Sequence, residues 1–283
     1  MRSDGGLVSS VEAHATQAGV DTLHAGGNAV DAAVAVAYAL AVTHPSAGNI
    51  GGGGFMLIHR KGEPTVALDF RETAPLALTQ ARFDAMIRAG AKGPAAAGTP
   101  GSVAGLNWAQ EHYGRLALPA VMAPAIALAK NGHPLGKQQA LALSWAWNAL
   151  KFDPEAKKIF GNGNQPKKEG ERVMQADLGG TLERIAEQGA AGFYQGPTAA
   201  MIVKAMGKRG LITLQDLHDY RPVQRAPLSF DYRGFEVEVM PPPSAGGVAI
   251  AETLLMMQVR SAEQTPLSSP SALHQFIELS RRA

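Results

Sequence analysis

One arginine stands out as a residue that could bind a charged ligand. Arg71 follows the apolar run 65–70, which we read as a β-strand, and it is flanked by Asp69 and Glu72. Its planar guanidinium can hold a carboxylate through two parallel hydrogen bonds, a geometry that lysine cannot match. A strand end would hold that group in one orientation. From these residues alone a surface salt bridge is the favoured interpretation, and a ligand site is the alternative.

Four consecutive glycines, Gly51 to Gly54, are a second feature that could carry chemistry, as a phosphate-binding loop. They lack the Gly-Lys-Ser/Thr ending of such loops, and they follow a predicted helix rather than a strand. We therefore predict a tight passage where two stretches of backbone approach closely, and we reject a nucleotide site.

Other residue types with catalytic potential do not form a pattern. The eight histidines are widely spaced without a His-Glu-x-x-His motif, and there is no cysteine and no Gly-x-Ser-x-Gly motif. We expect no metal and no resident cofactor. The net charge of +2 is spread along the chain, which argues against a nucleic-acid footprint.

The elements that must position these residues are mostly helices. Asn28 and Asp31 have the types and spacing of a helix start, and Pro45 marks that helix's end; its many alanines predict burial between other elements. Two β-hairpins are predicted, at 55–60 with 65–70 and at 228–232 with 235–239. The polar stretch 152–171 is predicted to be an exposed loop. Further helices are predicted at 11–24, 102–113, 119–130, 177–187, 198–208, 248–259 and from 271 onwards.

Composition is that of a soluble globular chain. The 283 residues are 46% hydrophobic and 18% charged, which is enough apolar content for a sizeable core and argues against disorder. The longest apolar run, 32–42, is too short to span a bilayer. No signal peptide is visible at the start of the sequence.

Several segments resemble the γ-glutamyltransferase (glutathione hydrolase) family, whose members are N-terminal nucleophile hydrolases. They include the run from Gly26 to Phe55, the segment from Thr65 to Pro75 and the loop from Pro241 to Gly247, and they occur in the family's order. The loop is similar to the family's Pro-Pro-Ser-Ser-Gly-Gly segment, with Ala245 replacing the second serine. The resemblance implies an α/β (α+β) fold, the four-layer αββα sandwich of these hydrolases, here incomplete and helix-rich.

The resemblance also implies a reaction. Arg71 occupies the place of the family's arginine that binds the α-carboxylate of the γ-glutamyl donor. The implied enzyme cleaves the γ-glutamyl amide of glutathione and passes the acyl group to water or an amino acid. It does so through a threonine acyl-enzyme that becomes available after autocatalytic cleavage of a precursor.

The implied nucleophile is not found in this chain. In the family it opens the small subunit with a Thr-Thr-His-x-Ser style sequence at the start of a strand. Thr43-His44-Pro45-Ser46 has a passing likeness, but it lies at a predicted helix end, where Pro45 blocks a strand. We therefore expect no catalytic residue in the chain itself.

The expected partners are a small subunit that bears the N-terminal threonine and a γ-glutamyl substrate such as glutathione, with no nucleic acid and no membrane span. We interpret 1–283 as a single large-subunit region, truncated before the nucleophile. Two alternatives stay open: a catalytically inactive truncated fragment, and a cephalosporin or glutaryl acylase of the same family. The resemblance suggests a periplasmic or extracellular location.

Overall fold

The computed structural model of the protein describes residues 5–90, 92–259 and 268–283. The α-helices are α1 Ala13–His24, α2 Ala29–Thr43, α3 Gln80–Arg88, α4 Ser102–Tyr113, α5 Leu118–Asn131, α6 Lys137–Leu150, α7 Pro154–Phe160, α8 Ala176–Gln188, α9 Ala191–Tyr194, α10 Gly196–Met206, α11 Leu214–Asp219, α12 Ala245–Val259 and α13 Pro270–Ser280. The strands are β1 Phe55–Ile58, β2 Val66–Asp69, β3 His133–Pro134, β4 Gly161–Asn162, β5 Gln165–Pro166, β6 Arg172–Val173, β7 Val223–Arg225, β8 Leu228–Tyr232 and β9 Phe235–Val239.

The described residues gather into two compact units. The first unit comprises Met1–Gly53 and Arg71–Arg221 and contains α1 to α11 with the short strand pairs β3–β6 and β4–β5. The second unit comprises Gly54–Phe70 and Pro222–Ala283 and contains the sheet β1-β2-β7, the hairpin β8–β9, α12 and α13. The interpretation of 1–283 as a single large-subunit region stays a prediction.

Helix α2 lies at the centre of the first unit and packs against α1, α4 and α5. Its start is a capping box: the Asn28 side chain accepts from the Asp31 N–H at 3.0 Å, and the Asp31 carboxylate accepts from the Asn28 N–H at 2.7 Å. Most of the helix is buried, including Tyr38, whose hydroxyl donates to Asn107 Oδ1 at 2.8 Å. The predicted start, end and burial of this helix are therefore confirmed.

Both predicted hairpins are confirmed in the second unit. Strands β1 and β2 pair antiparallel with Phe55 opposite Asp69, and β8 and β9 pair with Tyr232 opposite Phe235. Gly234, with φ of 79°, occupies the second position of the tight β8–β9 turn. Strand β7, which the sequence analysis did not identify, adds a third strand to the first sheet by pairing with β2.

Two sequence predictions differ from the structure. The stretch 152–171 is not a simple loop, because it contains α7 and the β4–β5 pair. Ile159 and Phe160 of α7 pack against the cluster that includes Leu143 and Trp147. The polar composition of 152–171 as a whole did not reveal that these two apolar residues attach α7 to the core. The segment 241–247 is also shorter as a loop than predicted, since α12 begins at Ala245 rather than at 248.

Candidate substrate-binding site

Arg71 lies two residues beyond the end of β2, close to the predicted strand end. Its side chain is 59% exposed, and its Nε lies 3.3 Å from the Glu72 Oε2. Such an exposed ion pair contributes little to stability. The ion pair does draw the Nε edge of the planar guanidinium toward Glu72. Asp69 contacts a different cation, accepting from Arg225 Nε and Nη2, each at 2.9 Å.

The backbone of Arg71 is held by buried tyrosines of the same unit. The Tyr220 hydroxyl donates to the Arg71 carbonyl oxygen at 2.8 Å. The Tyr220 ring stacks on the Tyr194 ring, with centroids 5.8 Å apart and planes only 4° from parallel. The Tyr194 hydroxyl in turn donates to the Pro100 carbonyl at 2.8 Å and accepts from the Ala104 N–H at 3.2 Å. Burial raises the pKa of Tyr194, so its phenol stays protonated as a donor.

A second anchor follows two residues later. Thr73 and Thr99 exchange two backbone hydrogen bonds, of 3.1 and 2.8 Å, in an isolated antiparallel bridge. Gly98 makes this approach possible, since a Cβ there would lie 3.0 Å from the Glu72 Cβ. The segment that carries Arg71 is thus tied to the residues that precede α4.

Asp216 of α11 supplies a third anchor. Its Oδ1 accepts from the Leu76 N–H at 2.7 Å, and its Oδ2 accepts from the Thr213 N–H at 2.8 Å and from the Thr213 hydroxyl at 2.6 Å. Burial acts to raise the pKa of Asp216, but these donors together hold it below its ordinary value. An ionised carboxylate therefore fixes the chain just beyond Arg71.

The glycine-rich segment serves close backbone approach, the structural role predicted for it. The Gly52 carbonyl accepts from the N–H groups of Gly101 and Ser102, at 2.7 and 2.9 Å, at the start of α4. A Cβ on Gly52 would lie 2.5 Å from the Asn49 Oδ1, and one on Gly54 would lie 2.9 Å from the Phe70 ring. The first amides of α4, which could otherwise attract an anion, already bind a carbonyl oxygen.

The other segments discussed above take structural positions. Thr43 is the last residue of α2, and its hydroxyl donates to the Ala39 carbonyl at 3.1 Å within that helix. Ala245 is the first residue of α12. Gly247 sits so close to the preceding chain that a Cβ there would lie 1.9 Å from the Met240 carbonyl oxygen.

Within residues 5–90, 92–259 and 268–283, no three His, Asp or Glu side chains come together as a metal site would require. Over the same ranges no helix is both long enough and apolar enough to cross a bilayer. Sequence reasoning singled out Arg71, but it missed Tyr220, Tyr194 and Asp216. The hydroxyl of Tyr220 meets a carbonyl 149 residues away, so no local pattern could have signalled the contact.

The chain is similar to known proteins over nearly its whole length. Residues 15–283 match the family model described as Gamma-glutamyltranspeptidase. The chain is 43% identical over 290 residues to the glutathione hydrolase proenzyme of Escherichia coli K12, covering 100% of this chain and 50% of that protein. It thus spans about half the length of that curated relative.

Solved structures point to the same family. The Helicobacter pylori gamma-glutamyltranspeptidase superimposes with a TM-score of 0.93 at 40% identity, covering 99% of this chain and 82% of that one. A cephalosporin acylase from Bacillus halodurans superimposes with a TM-score of 0.84 at 33% identity, covering 94% and 51%. The expected fold is confirmed: the chain is helix-rich and shares its fold with N-terminal nucleophile hydrolases of known structure. The chain belongs to the gamma-glutamyltranspeptidase family.

Proposed function

We propose that this chain is the large-subunit region of a glutathione hydrolase and that Arg71 binds the α-carboxylate of the γ-glutamyl donor. The observation that supports this most is that the backbone at Arg71 is anchored by hydrogen bonds. Its backbone and the five residues after it are fixed at three points, by Tyr220, Thr99 and Asp216. A family member with an arginine held this way has a rigid receptor for one substrate carboxylate.

The chemistry of the guanidinium suits that role. It remains charged at any physiological pH, and its planar donors match the two oxygens of a carboxylate. Its 59% exposure leaves the side chain accessible to a ligand, and Glu72 orients its Nε edge. A charge-assisted hydrogen bond contributes about 1.5–3 kcal/mol, so losing the fork should weaken substrate binding roughly a hundredfold.

The bond-breaking residues of the proposed reaction lie outside these 283 residues. A threonine at the N-terminus of a small subunit would attack the γ-glutamyl carbonyl, and its own amine would take the hydroxyl proton. The same amine would return that proton to the departing amine of the substrate as the amide C–N bond breaks, leaving the γ-glutamyl group as an ester on the threonine. Backbone N–H donors would stabilise the oxyanion. Water or an amino acid would then release the acyl group. The small subunit, the glutathione substrate and a periplasmic or extracellular location are all part of this proposal.

The test uses the complete gene product and a γ-glutamyl p-nitroanilide substrate. We expect Arg71→Ala to raise KM about a hundredfold, and Arg71→Lys to raise it about tenfold, because lysine keeps the charge and loses the fork. Inhibition by free glutamate should weaken in parallel, which reports binding without turnover. Arg60→Ala is the matched control, since Arg60 also pairs with a nearby glutamate, Glu63, on an exposed surface. Unchanged KM and glutamate inhibition in Arg71→Ala would refute the assignment.

The likeness to the Bacillus halodurans structure favours a second candidate, an acylase that removes cephalosporin side chains. A glutaryl side chain has a terminal carboxylate but no α-amino group. Faster hydrolysis of a glutaryl cephalosporin than of a γ-glutamyl amide by the same preparation would select this candidate. The reverse order would select glutathione hydrolase.

A further inference from the structure

Helix α6 of the first unit carries an exposed apolar stripe. Leu141, Trp145 and Phe152 are 51%, 76% and 79% exposed. Residues 141 and 145 are about one helical turn apart, and residue 152 follows about two turns after 145, just beyond the end of the helix. Leu141 and Trp145 therefore lie along one face of α6, and the exposed Phe152 ring follows the end of that helix. Large apolar side chains grouped on a surface are typical of an interaction site.

The opposite face of α6 is already committed to the core. Leu143 and Trp147 are buried in a cluster with Leu135 and Val173. The Trp147 Nε1 also donates to the Asn164 carbonyl at 2.9 Å. Turning the exposed stripe inward would dismantle this cluster, so the stripe stays outward on the first unit.

The stripe lies in a basic part of the chain. Segment 137–172 contains seven lysines and arginines against four acidic residues, although the whole chain carries a net charge of only +2. Helix α6 has no acidic residue, and Lys137 and Lys151 stand at its two ends. The Lys151 Nζ lies 5.3 Å from the centre of the Phe152 ring.

The two acidic residues that follow α6 in the sequence have partners of their own. Asp153 accepts from the Ala156 N–H at 2.8 Å and caps α7. Glu155 lies 3.9 Å from the Lys158 Nζ. Lys137 and Lys151 therefore stand at the two ends of the helix that carries the stripe, and the acidic side chains that follow have partners of their own.

We propose that this α6 surface, formed by Lys137, Leu141, Trp145, Lys151 and Phe152, docks onto an anionic lipid surface. Tryptophan, phenylalanine and leucine insert at the headgroup boundary, and lysines at its edge bind anionic headgroups. A second copy of the chain fits less well. Helices paired through this stripe, parallel or antiparallel, would place lysine opposite lysine at both ends.

The test measures co-sedimentation of the complete gene product with two kinds of vesicle, phosphatidylcholine alone and phosphatidylcholine mixed with phosphatidylglycerol. Binding is expected to the anionic vesicles and to fall as salt is added. The double variant Trp145→Ala/Phe152→Ser should weaken that binding roughly tenfold or more, and Lys151→Gln should weaken it about fivefold. Phe235→Ser, at a phenylalanine that is 72% exposed in the second unit, is the matched control and should bind like the wild type.

Several results would overturn the proposal. They are absence of binding, equal binding to both vesicle types, or insensitivity to salt. Comparing acrylamide quenching in the wild type and Trp145→Phe reports whether Trp145 is reachable in the complete protein. A shielded Trp145 would mean that the rest of the protein covers the stripe. A dimer that Trp145→Ala dissociates without lipid would assign the surface to a second copy. Circular dichroism confirms that each variant is folded.

Discussion

Replacing Asp31 should destabilise the first unit more than any surface change would. Its side chain is fully buried at the start of α2. The carboxylate accepts from the Asn28 N–H at 2.7 Å, the Gln110 amide at 2.6 Å, and the N–H groups of Arg115 and Leu116 at 3.0 Å. One side chain thus joins the start of α2 to α4 and to the loop before α5.

The size of the effect follows from the donors that Asp31→Ala would leave without their acceptor. There are four such groups, and each buried donor without a partner costs about 1–3 kcal/mol. Water that enters the space recovers part of that cost, so we expect the free energy of unfolding of Asp31→Ala to fall by about 4 kcal/mol. Asp31→Asn keeps one acceptor oxygen but turns an NH2 group toward N–H donors. We expect its free energy of unfolding to fall by about 2 kcal/mol.

Urea unfolding of the complete gene product, followed by circular dichroism, measures these losses. Asp84→Ala on the exposed helix α3 is the control and should change stability by less than about 0.5 kcal/mol. An Asp31→Asn protein as stable as the wild type would refute the reasoning. Burial acts to raise the pKa of Asp31, but its donors hold it below the ordinary value. The stabilisation is therefore complete above about pH 5 and should shrink as pH falls through about 4.

Three further outcomes are expected. Tyr220→Phe removes the hydroxyl that holds the Arg71 backbone; KM for a γ-glutamyl substrate should rise several-fold with kcat little changed, and an unaltered KM would contradict the anchoring role. Gly247→Ala would place a Cβ 1.9 Å from the Met240 carbonyl oxygen, and calorimetry should show a loss of about 3 kcal/mol. Burial lowers the pKa of His133, so the unfolded chain takes up a proton that the folded one does not, and stability in urea should fall as pH drops below 6.5. His133→Gln should flatten that slope, and an unchanged slope would assign it to another group.

The sequence was sufficient to predict features that depend only on residues close together in the chain. The Asn28 and Asp31 capping box needs residues three apart, and the β8–β9 turn needs only the pair Arg233-Gly234. The same rules were available for α7, where Asp153 caps and Pro154 occupies the first turn. We gave more weight to the polar composition of 152–171 than to these helix-start signals, and the predicted loop was wrong.

Long-range contacts could not be predicted in this way. Strand β7 is three exposed residues, and its extended form comes from pairing with β2, far earlier in the chain. The family motif identified Arg71, whereas the tyrosine stack behind it has no motif. Its members come together only because α9 and the end of α11 are adjacent in the folded unit.

The Gly52 carbonyl, which accepts from the amides at the start of α4, affects whether inorganic anions can bind there. Inorganic phosphate and sulfate compete well for helix starts whose amides are vacant. Here the amides of Gly101 and Ser102 donate to the Gly52 carbonyl and that of Ala104 donates to the Tyr194 hydroxyl, so such ions would first have to break internal bonds. The start of α4 is therefore a poor binding site for common inorganic anions.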